Sequence, residues 1–158
     1  MRQLELRRHA RRDPNVDRLS AEGRAQAEDV GRAAVGTTYD VVFVSPAQRA
    51  AETAAWFLRG AAQQLPEHDV VPGLGGQDES GGSPEGMAAG VRALLDRVPQ
   101  GGRGLAISHT PLVERAALGL TGDEIDPLGE CEGVLVTLDD DGSVRLEELR
   151  LGRDPSGA

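Results

Sequence analysis

Short apolar runs alternate with segments of helical spacing along this chain of 158 residues, and this alternation constrains its fold more than any other feature. Residues 3–7 alternate polar and apolar side chains, residues 40–44 form a valine-rich run, and residues 104–108 form another apolar run. Such runs indicate strands, and a continuous apolar run is typical of a strand buried on both faces. Strands that alternate with helices predict an α/β fold, a three-layer α/β/α sandwich with a mostly parallel central sheet.

Helix start signals lie between the predicted strands. Ser20 is a predicted N-cap for a helix that ends near residue 35, and Ser83 is a predicted N-cap for a helix that ends near residue 98. Ser45 precedes a proline and is expected to cap a helix that follows the second strand. Thr110 likewise precedes a proline and is expected to start the helix after residues 104–108.

The rest of the chain fits the same small domain. Residues 133–138 and 143–149 flank an Asp-rich turn, which predicts a β-hairpin. Residues 72–83 are rich in glycine and polar side chains and are expected to form a surface loop. The length fits one domain, which we place at residues 1–151, with a flexible tail over residues 152–158.

Composition and charge narrow the classes of partner. The formal net charge is −9, and all 17 basic residues are arginine. A chain this acidic has no overall attraction for nucleic acid or anionic lipid. It has no run near the ~20 apolar residues that span a bilayer and no visible secretory signal, so we expect a cytoplasmic protein without nucleic-acid or membrane partners. The single cysteine, Cys131, excludes an intrachain disulfide. The oligomeric state is left open.

Chemically distinctive side chains follow the strand ends. His9 comes just after the first strand, Arg49 lies near the start of the helix after the second, and His109 directly follows residues 104–108. Because α/β sheets bind ligands at the carboxyl ends of their strands, we expect these side chains to share one pocket with Arg8. So many potential cations repel one another unless an anion joins them, and arginine forks match phosphate oxygens.

The same positive charge favours the neutral form of a histidine. A neutral imidazole has a free lone pair, which can attack phosphorus and form a covalent intermediate. Arginines that bind the oxygens of the transferring group stabilise the charge of the transition state. The pattern therefore predicts phosphoryl transfer that requires no metal and no cofactor.

Four motifs, in order and spacing, carry a resemblance to a known family. They are Arg-His-Ala at residues 8–10, Asp-Arg-Leu-Ser at residues 17–20, Ser-Pro-Ala-Gln-Arg-Ala at residues 45–50 and Ser-His-Thr-Pro at residues 108–111. With this set the chain resembles the histidine phosphatase superfamily, also called the phosphoglycerate-mutase-like family, over about residues 4–120. Its compact length and the alanine after the first histidine look most like the small branch of SixA-type phosphohistidine phosphatases.

The resemblance implies a role for each residue. His9 would be the nucleophile that becomes phosphorylated, Arg8 and Arg49 would bind the phosphoryl oxygens, and His109 would complete the pocket. Asn15 stands where some family members place an asparagine that helps to hold phosphate. The implied activity is that of a metal-independent phosphatase, a phosphoric monoester hydrolase. Its substrate would be a phosphohistidine protein or a small phosphomonoester.

The sequence departs from the family at the acidic proton donor. Many members carry a glutamate between the second arginine and the second histidine. This region reads Gly-Leu-Gly-Gly at residues 73–76 here, with glycine near the expected position of the acid. Asp78, Glu79 and Glu85 are the nearby candidates, and none of them matches the family position. The imidazole of phosphohistidine is a good leaving group and needs less help from a general acid, so this departure favours a SixA-like substrate.

Three alternatives stay open from the sequence. The chain could be a phosphomutase-like enzyme, a catalytically idle domain that binds phosphate or a phosphoprotein, or a metal hydrolase built on the two predicted active-site histidines. Other polar residues have ordinary structural interpretations: Arg7, Arg11 and Arg12 are expected to be exposed. Cys131 is expected to be a buried, small apolar residue rather than a nucleophile.

Overall fold

The structure is a computed structural model that describes residues 1–152, and its strands form one six-stranded sheet. The strands are β1 (Arg2–Arg8), β2 (Val41–Val44), β3 (Asp69–Val70), β4 (Arg103–Ser108), β5 (Gly133–Leu138) and β6 (Val144–Leu149). The helices are α1 (Ala21–Arg32), α2 (Gln48–Gly60), α3 (Pro84–Leu95) and α4 (Leu112–Thr121), with a 3-10 turn at Pro72–Gly75. The predicted tail over residues 152–158 lies, except for Gly152, outside the described residues.

The sheet has the order β3-β2-β4-β1-β5-β6, and it is mixed. Strands β3, β2, β4 and β1 run parallel, whereas β5 pairs antiparallel with β1 and forms a hairpin with β6. The α/β fold and the hairpin expected from the sequence are therefore confirmed. The parallel strands end at the same edge of the sheet, and β1 and β4 are direct neighbours there.

Alternate residues of the central strands fill two cores on opposite faces of the sheet. Leu4, Leu6 and Ala106 pack with α3 and α4, whereas Leu105 and Ile107 pack with α2. Full burial of an aliphatic side chain of this size contributes about 1.5–3 kcal/mol relative to exposure. The period-two alternation of the strands thus attaches helices to both faces and holds the strand ends in a fixed arrangement.

Two of the four predicted helix caps are confirmed. The Ser20 hydroxyl accepts a hydrogen bond from the amide of Gly23 at 3.0 Å and caps α1. The Ser83 hydroxyl accepts from the amide of Gly86 at 3.1 Å and caps α3. In both cases a serine supplies the oxygen that the first turn of a helix needs, so local sequence was sufficient for the prediction.

The other two predicted caps are wrong. Helix α2 begins at Gln48 rather than beside Ser45, and the residue before the helix makes no side-chain cap. Helix α4 begins after Pro111, and the Thr110 hydroxyl donates to the Glu114 carboxylate instead of accepting from the helix. Both side chains are engaged by the site at the strand ends. No helix within residues 1–152 is long and apolar enough to cross a membrane.

Candidate active site

A cavity of about 680 Å³ lies at the carboxyl ends of β1, β2 and β4. Arg8, His9, Arg49 and His109, which come from three separate segments of the chain, all line it. Strand β1 delivers the first two of these residues, β4 delivers His109, and the first turn of α2 delivers Arg49. The structure therefore brings together the four side chains that the sequence placed in one pocket.

The backbone fixes the ring of His9 in one tautomer. Its Nδ1 lies 2.7 Å from the carbonyl oxygen of Ala10, and because a carbonyl only accepts, Nδ1 carries the hydrogen. In the neutral ring Nε2 is then unprotonated, and it accepts a hydrogen bond from Nε of Arg49 at 3.3 Å. The lone pair of His9 is consequently on Nε2, where it accepts from the arginine as long as no ligand is bound.

Both histidines are neutral at physiological pH. Burial lowers the pKa of His9 from its ordinary 6.5 to about 4, and the charges of Arg49 and Arg8 add to this effect against the opposing hydrogen bond to the backbone. Burial likewise lowers the pKa of His109 to about 4, with His9 and Arg49 as further causes. Desolvation thus reinforces the effect of nearby positive charge that the sequence predicted.

His109 faces the same arginine from the other side of the cavity. Its Nδ1 lies 3.4 Å from a terminal nitrogen of Arg49, and because a guanidinium only donates, Nδ1 is the acceptor. The Nε2–H then donates to the hydroxyl of Ser45 at 2.6 Å. The rings of His9 and His109 stand edge to face, with centroids 5.1 Å apart. Ser45 therefore orients a histidine, a role that its helix-cap pattern concealed.

Arg8 has a donor that the protein leaves unused. One of its terminal nitrogens donates to the carbonyl oxygen of Leu128 at 2.8 Å. Its Nε is fully buried and has no hydrogen-bond partner among residues 1–152. Leaving a buried donor without a partner costs about 1–3 kcal/mol, and more for a charged group. Arg8 also lines the cavity, so a ligand there would meet its side chain.

Asp17 holds Arg49 and the start of α2 together. One carboxylate oxygen accepts from the Arg49 guanidinium at 2.9 Å and from its amide at 3.2 Å, and the other accepts from the amide of Gln48 at 2.9 Å. Burial opposes ionisation, yet these hydrogen bonds lower the pKa of Asp17 below its ordinary value. Asp17 is therefore the cap that α2 lacks in its own sequence. It belongs to the second sequence motif, which assigned it no role.

Glu114 links the two sides of the cavity. Its carboxylate accepts from the amide of Leu128 at 3.2 Å and from the Thr110 hydroxyl. The carbonyl of Leu128 in turn accepts from the Arg8 guanidinium, and Thr110 directly follows His109. The chain of contacts Thr110–Glu114–Leu128–Arg8 thus connects the end of β4 with the end of β1. Spacing on the helix could predict the Thr110–Glu114 contact, but the contact with Leu128 depends on the tertiary fold.

Asn15 lies apart from the cavity. It is exposed in the loop before α1, where its amide donates to Asp13 at 2.8 Å, and it does not line the cavity. Within residues 1–152 the structure therefore does not group Asn15 with the other four predicted site residues.

The acids considered as proton donors also lie elsewhere. Asp78 accepts from Ser80 within its own turn, Glu79 and Glu85 are exposed, and none of the three lines the cavity. The cavity instead has Gln77 on this wall, and its lining carboxylates are Asp17 and Glu130. Glu130 lies near the end of the chain, where the sequence carries no motif that would single it out.

No group of three or more His, Cys, Asp or Glu side chains among the described residues could hold a metal ion. The groups that do converge are the guanidinium groups of Arg8 and Arg49 beside two imidazole rings, and guanidinium groups suit an oxyanion.

A family model and several solved structures are similar to this chain. The model of the histidine phosphatase superfamily (branch 1) matches residues 4–75, a stretch that contains three of the four clustered side chains. The fourth, His109, lies beyond that stretch, and the fold brings it to the other three. No curated protein matches the chain.

Solved structures extend the likeness to nearly the whole chain. The protein histidine phosphatase SixA, complexed with tungstate, is 26% identical, with 94% of this chain and 96% of that chain covered and a TM-score of 0.73. A phosphoserine phosphatase mutant from Entamoeba histolytica, in complex with phosphoserine, is 17% identical (94% and 97% covered, TM-score 0.74). A phosphoglycerate mutase from Bacillus anthracis is 13% identical (92% and 91% covered, TM-score 0.74).

Residues 4–75 match the histidine phosphatase superfamily, as the sequence motifs indicated, and nearly the whole chain shares the fold of the SixA structure. The similar solved structures include both phosphatases and a mutase, so these likenesses leave the reaction open between the two classes.

Proposed function

We propose that this chain is a phosphatase that acts without a metal, through a covalent phosphohistidine on His9. The observation that carries the proposal is the state of His9: a buried, neutral ring whose lone pair is on Nε2, 3.3 Å from a guanidinium nitrogen of Arg49. A lone pair held beside an oxyanion-binding group is the arrangement that nucleophilic attack on phosphorus requires.

The first step transfers the phosphoryl group to His9. Nε2 attacks phosphorus, the bond from phosphorus to the leaving group breaks, and its electron pair departs with that group. Arg8 and Arg49 bind the non-bridging oxygens, where charge is spread in the transition state. His109 donates to one of these oxygens from Nδ1 once its ring takes up a proton, which the negative charge of the phosphoryl group favours. The hydrogen bond from Nδ1–H to the Ala10 carbonyl stabilises the positive ring that results.

The second step hydrolyses the intermediate. Water attacks phosphorus, the bond from phosphorus to Nε2 breaks, and the electron pair returns to His9 as phosphate leaves. Phosphorylation of His9 brings negative charge into the cavity. Hydrolysis then returns Arg8, His9, Arg49 and His109 to their unliganded state. The same cradle therefore serves both steps without rearrangement of its backbone.

We favour a phosphohistidine protein as substrate, with a small phosphomonoester as the alternative. Gly75 and Gln77 form the wall on which a family acid was expected, so help for a poor leaving group is absent from that side. A substrate imidazole leaves readily, and the likeness to SixA, a protein histidine phosphatase, supports the same choice. The likeness to a phosphoserine phosphatase supports the small phosphomonoester.

Two other functions use the same cavity. A phosphomutase-like enzyme would return the phosphoryl group to a second acceptor, and a binding domain would hold phosphate without reaction. The lack of a carboxyl group on the Gln77 wall is the observation that favours the binding domain.

Phosphoryl labelling distinguishes these functions. The protein is mixed with a phosphohistidine protein or with a phosphomonoester, quenched, and analysed for acid-labile phosphate on histidine. We expect label on His9, none in His9→Ala, and full labelling in His68→Ala, which changes the histidine outside the cavity. We also expect turnover to release inorganic phosphate and to be indifferent to EDTA. Unlabelled wild-type protein that still binds phosphate would contradict the proposal.

A further inference from the structure

The cavity is also lined by a carboxylate that no part of the proposed reaction has yet used. Resting on the proposed function, we propose that Glu130 is the proton donor to the leaving group. Its position within an anchored loop that lines the cavity, and the lack of any hydrogen bond or ion pair to its carboxylate within residues 1–152, carry this inference.

The loop of residues 128–132 is anchored to β1 on both sides of Glu130. Before it, the carbonyl of Leu128 accepts from the Arg8 guanidinium at 2.8 Å. The carbonyl of Cys131 accepts from the Arg7 guanidinium at 2.6 Å, and the carbonyl of Glu132 accepts from the amide of Arg8 at 2.8 Å. The side chain of Glu132 turns back to the amide of Gly129 at 2.7 Å. Glu130 therefore has a position fixed relative to the strand that carries the nucleophile.

The conformation of the next residue supports this reading. Cys131 has a φ of 65°, in the left-handed region that side chains other than glycine rarely adopt. It is fully buried, and its amide approaches the carbonyl of His9 at 3.4 Å. A non-glycine residue held in this region costs of the order of 1–3 kcal/mol, which the surrounding contacts must offset. The bend that it produces places Glu130 on the cavity wall.

Glu130 is the carboxylate of the cavity that remains available. Asp17 is committed to Arg49 and to two backbone amides. Within residues 1–152, no hydrogen bond or ion pair engages the Glu130 carboxylate, and the residue is partly exposed. A proton donor to the leaving group must reach the substrate and must exchange protons with solvent. Glu130 meets both conditions.

The direction of the reaction brings the leaving group to the open side of the cavity. His9 is only 8% exposed, so the nucleophile attacks from the buried end. In phosphoryl transfer the attacking and leaving atoms lie roughly in line, so the leaving atom points away from His9 toward solvent. Glu130 lines the same cavity and is partly exposed, so it is a candidate to meet the leaving atom on the solvent side.

The proton balance is simple. As Nε2 of His9 bonds to phosphorus and the leaving atom takes the electron pair, the Glu130 carboxyl gives its proton to that atom. In hydrolysis the carboxylate takes a proton from the attacking water, which restores the carboxyl group. No further reactant is needed, and the same residue serves as acid and then as base.

Dependence on the leaving group tests this role. Transfer to His9 is measured in a single turnover with phenyl phosphate, a poor leaving group, and with 2,4-dinitrophenyl phosphate, a good one. In Glu130→Gln we expect transfer from phenyl phosphate to fall about 100-fold or more and transfer from the dinitrophenyl ester to change little. Glu130→Asp, which keeps the proton, should recover part of the loss, and the exposed Glu79→Gln is the matched control.

Two results would overturn this role. Equal losses with both esters would show that Glu130 acts only on structure or on phosphate binding, and no loss with phenyl phosphate would remove it from the reaction. In either case the wild-type label on His9 would still stand, so the proposed function would survive. Absence of that label in the wild type would instead overturn the phosphatase proposal, and the role of Glu130 with it.

Discussion

Two arginines that are neighbours on β1 have opposite surroundings. Arg7 donates to the Glu5 carboxylate at 2.6 Å and to the Cys131 carbonyl at 2.6 Å, and its guanidinium lies over the Phe57 ring at 5.2 Å. Arg8 points to the other face of the sheet, where it donates to one carbonyl and keeps a buried Nε without a partner among the described residues.

The protein itself completes the first cluster. Glu5 is buried, and its carboxylate accepts from Arg7, from the Tyr39 hydroxyl at 2.8 Å and from Arg103 at 3.2 Å. Burial and the charge of Glu5 raise the pKa of Tyr39 above its ordinary value, so its hydroxyl stays a donor. Every charge of this cluster has an opposite charge or a polar partner.

The second cluster is left incomplete. Arg8, Arg49 and two imidazoles meet in the cavity, and Asp17 is the carboxylate that contacts them, through Arg49. The two clusters have the same formal charge, two arginines and one carboxylate, so the difference lies in their hydrogen bonds. It teaches that a buried guanidinium donor left without a partner at strand ends indicates a binding site, whereas a buried ionic group with its partners in place indicates a structural role. Substitutions in the two clusters should therefore have opposite effects on stability and activity.

The largest effect is expected from Arg49→Gln. Loss of its guanidinium removes a donor to the phosphoryl oxygens, so kcat/KM should fall about 10³-fold, while the free energy of unfolding should change little. Steady-state kinetics and urea unfolding measure the two effects. Arg59→Gln, at the exposed end of the same helix, is the control that should keep full activity. A loss of activity in proportion to a loss of stability would contradict the contrast.

Glu5→Gln should have the reverse profile. It leaves two largely buried arginines without their carboxylate, which should lower the free energy of unfolding by about 3 kcal/mol. The folded variant should keep much more activity than Arg49→Gln. Asp139→Asn, which removes an exposed ion pair with Arg145, should leave stability nearly unchanged. Urea unfolding of the two variants gives the comparison, and equal effects would erase the distinction between clusters.

These contrasts also show what the sequence could predict. His9, Arg8, Arg49 and His109 follow strands or start a helix, so the rule for strand ends placed them in one pocket. Arg7 was expected to be exposed, and this is wrong: its side chain is 12% exposed because Glu5 and Cys131 hold it. A pair at positions i and i+2 of a strand shares one face, but local sequence does not reveal that helix α2 covers that face.

Other roles required the tertiary structure. Ser45 has the local signature of a helix cap, yet its hydroxyl accepts a hydrogen bond from a histidine 64 positions away. Asp17 caps a helix that begins 31 residues later, and Glu130 reaches the cavity through a loop whose backbone bends at a cysteine. In each case the partner is distant along the chain, so patterns of a few residues could not predict the contact.

A smaller effect is expected from Asp17→Asn. The asparagine keeps an acceptor for the start of α2 but loses the charge that fixes Arg49, so kcat/KM should fall about tenfold, as expected when a charge-assisted hydrogen bond of about 1.5–3 kcal/mol is weakened. Asp17→Ala should in addition lower the free energy of unfolding, by about 1 kcal/mol, because the cap is lost. If Asp17→Asn is as inactive as Arg49→Gln, Asp17 does more than position the arginine.

The smallest effect concerns protonation. Imidazole signals of His9 and His109, followed by NMR, should titrate near pH 4, and Arg49→Gln should move both pKa values upward, toward 6.5. Because the unfolded chain takes up these protons near pH 6.5 and the native chain does not, stability should fall as the pH is lowered from 6.5 to about 4. Titration of His9 near 6.5 in the wild type would contradict the buried, neutral ring.

The central claim is that the incomplete cluster is built to receive a transferring phosphoryl group on His9. A crystal structure with vanadate, which adopts the geometry of that group, tests it most directly. We predict a bond from vanadium to Nε2 of His9, with oxygens held by Arg8, Arg49 and His109. Vanadate bound elsewhere, or bound in the cavity without contact to Nε2, would contradict the account.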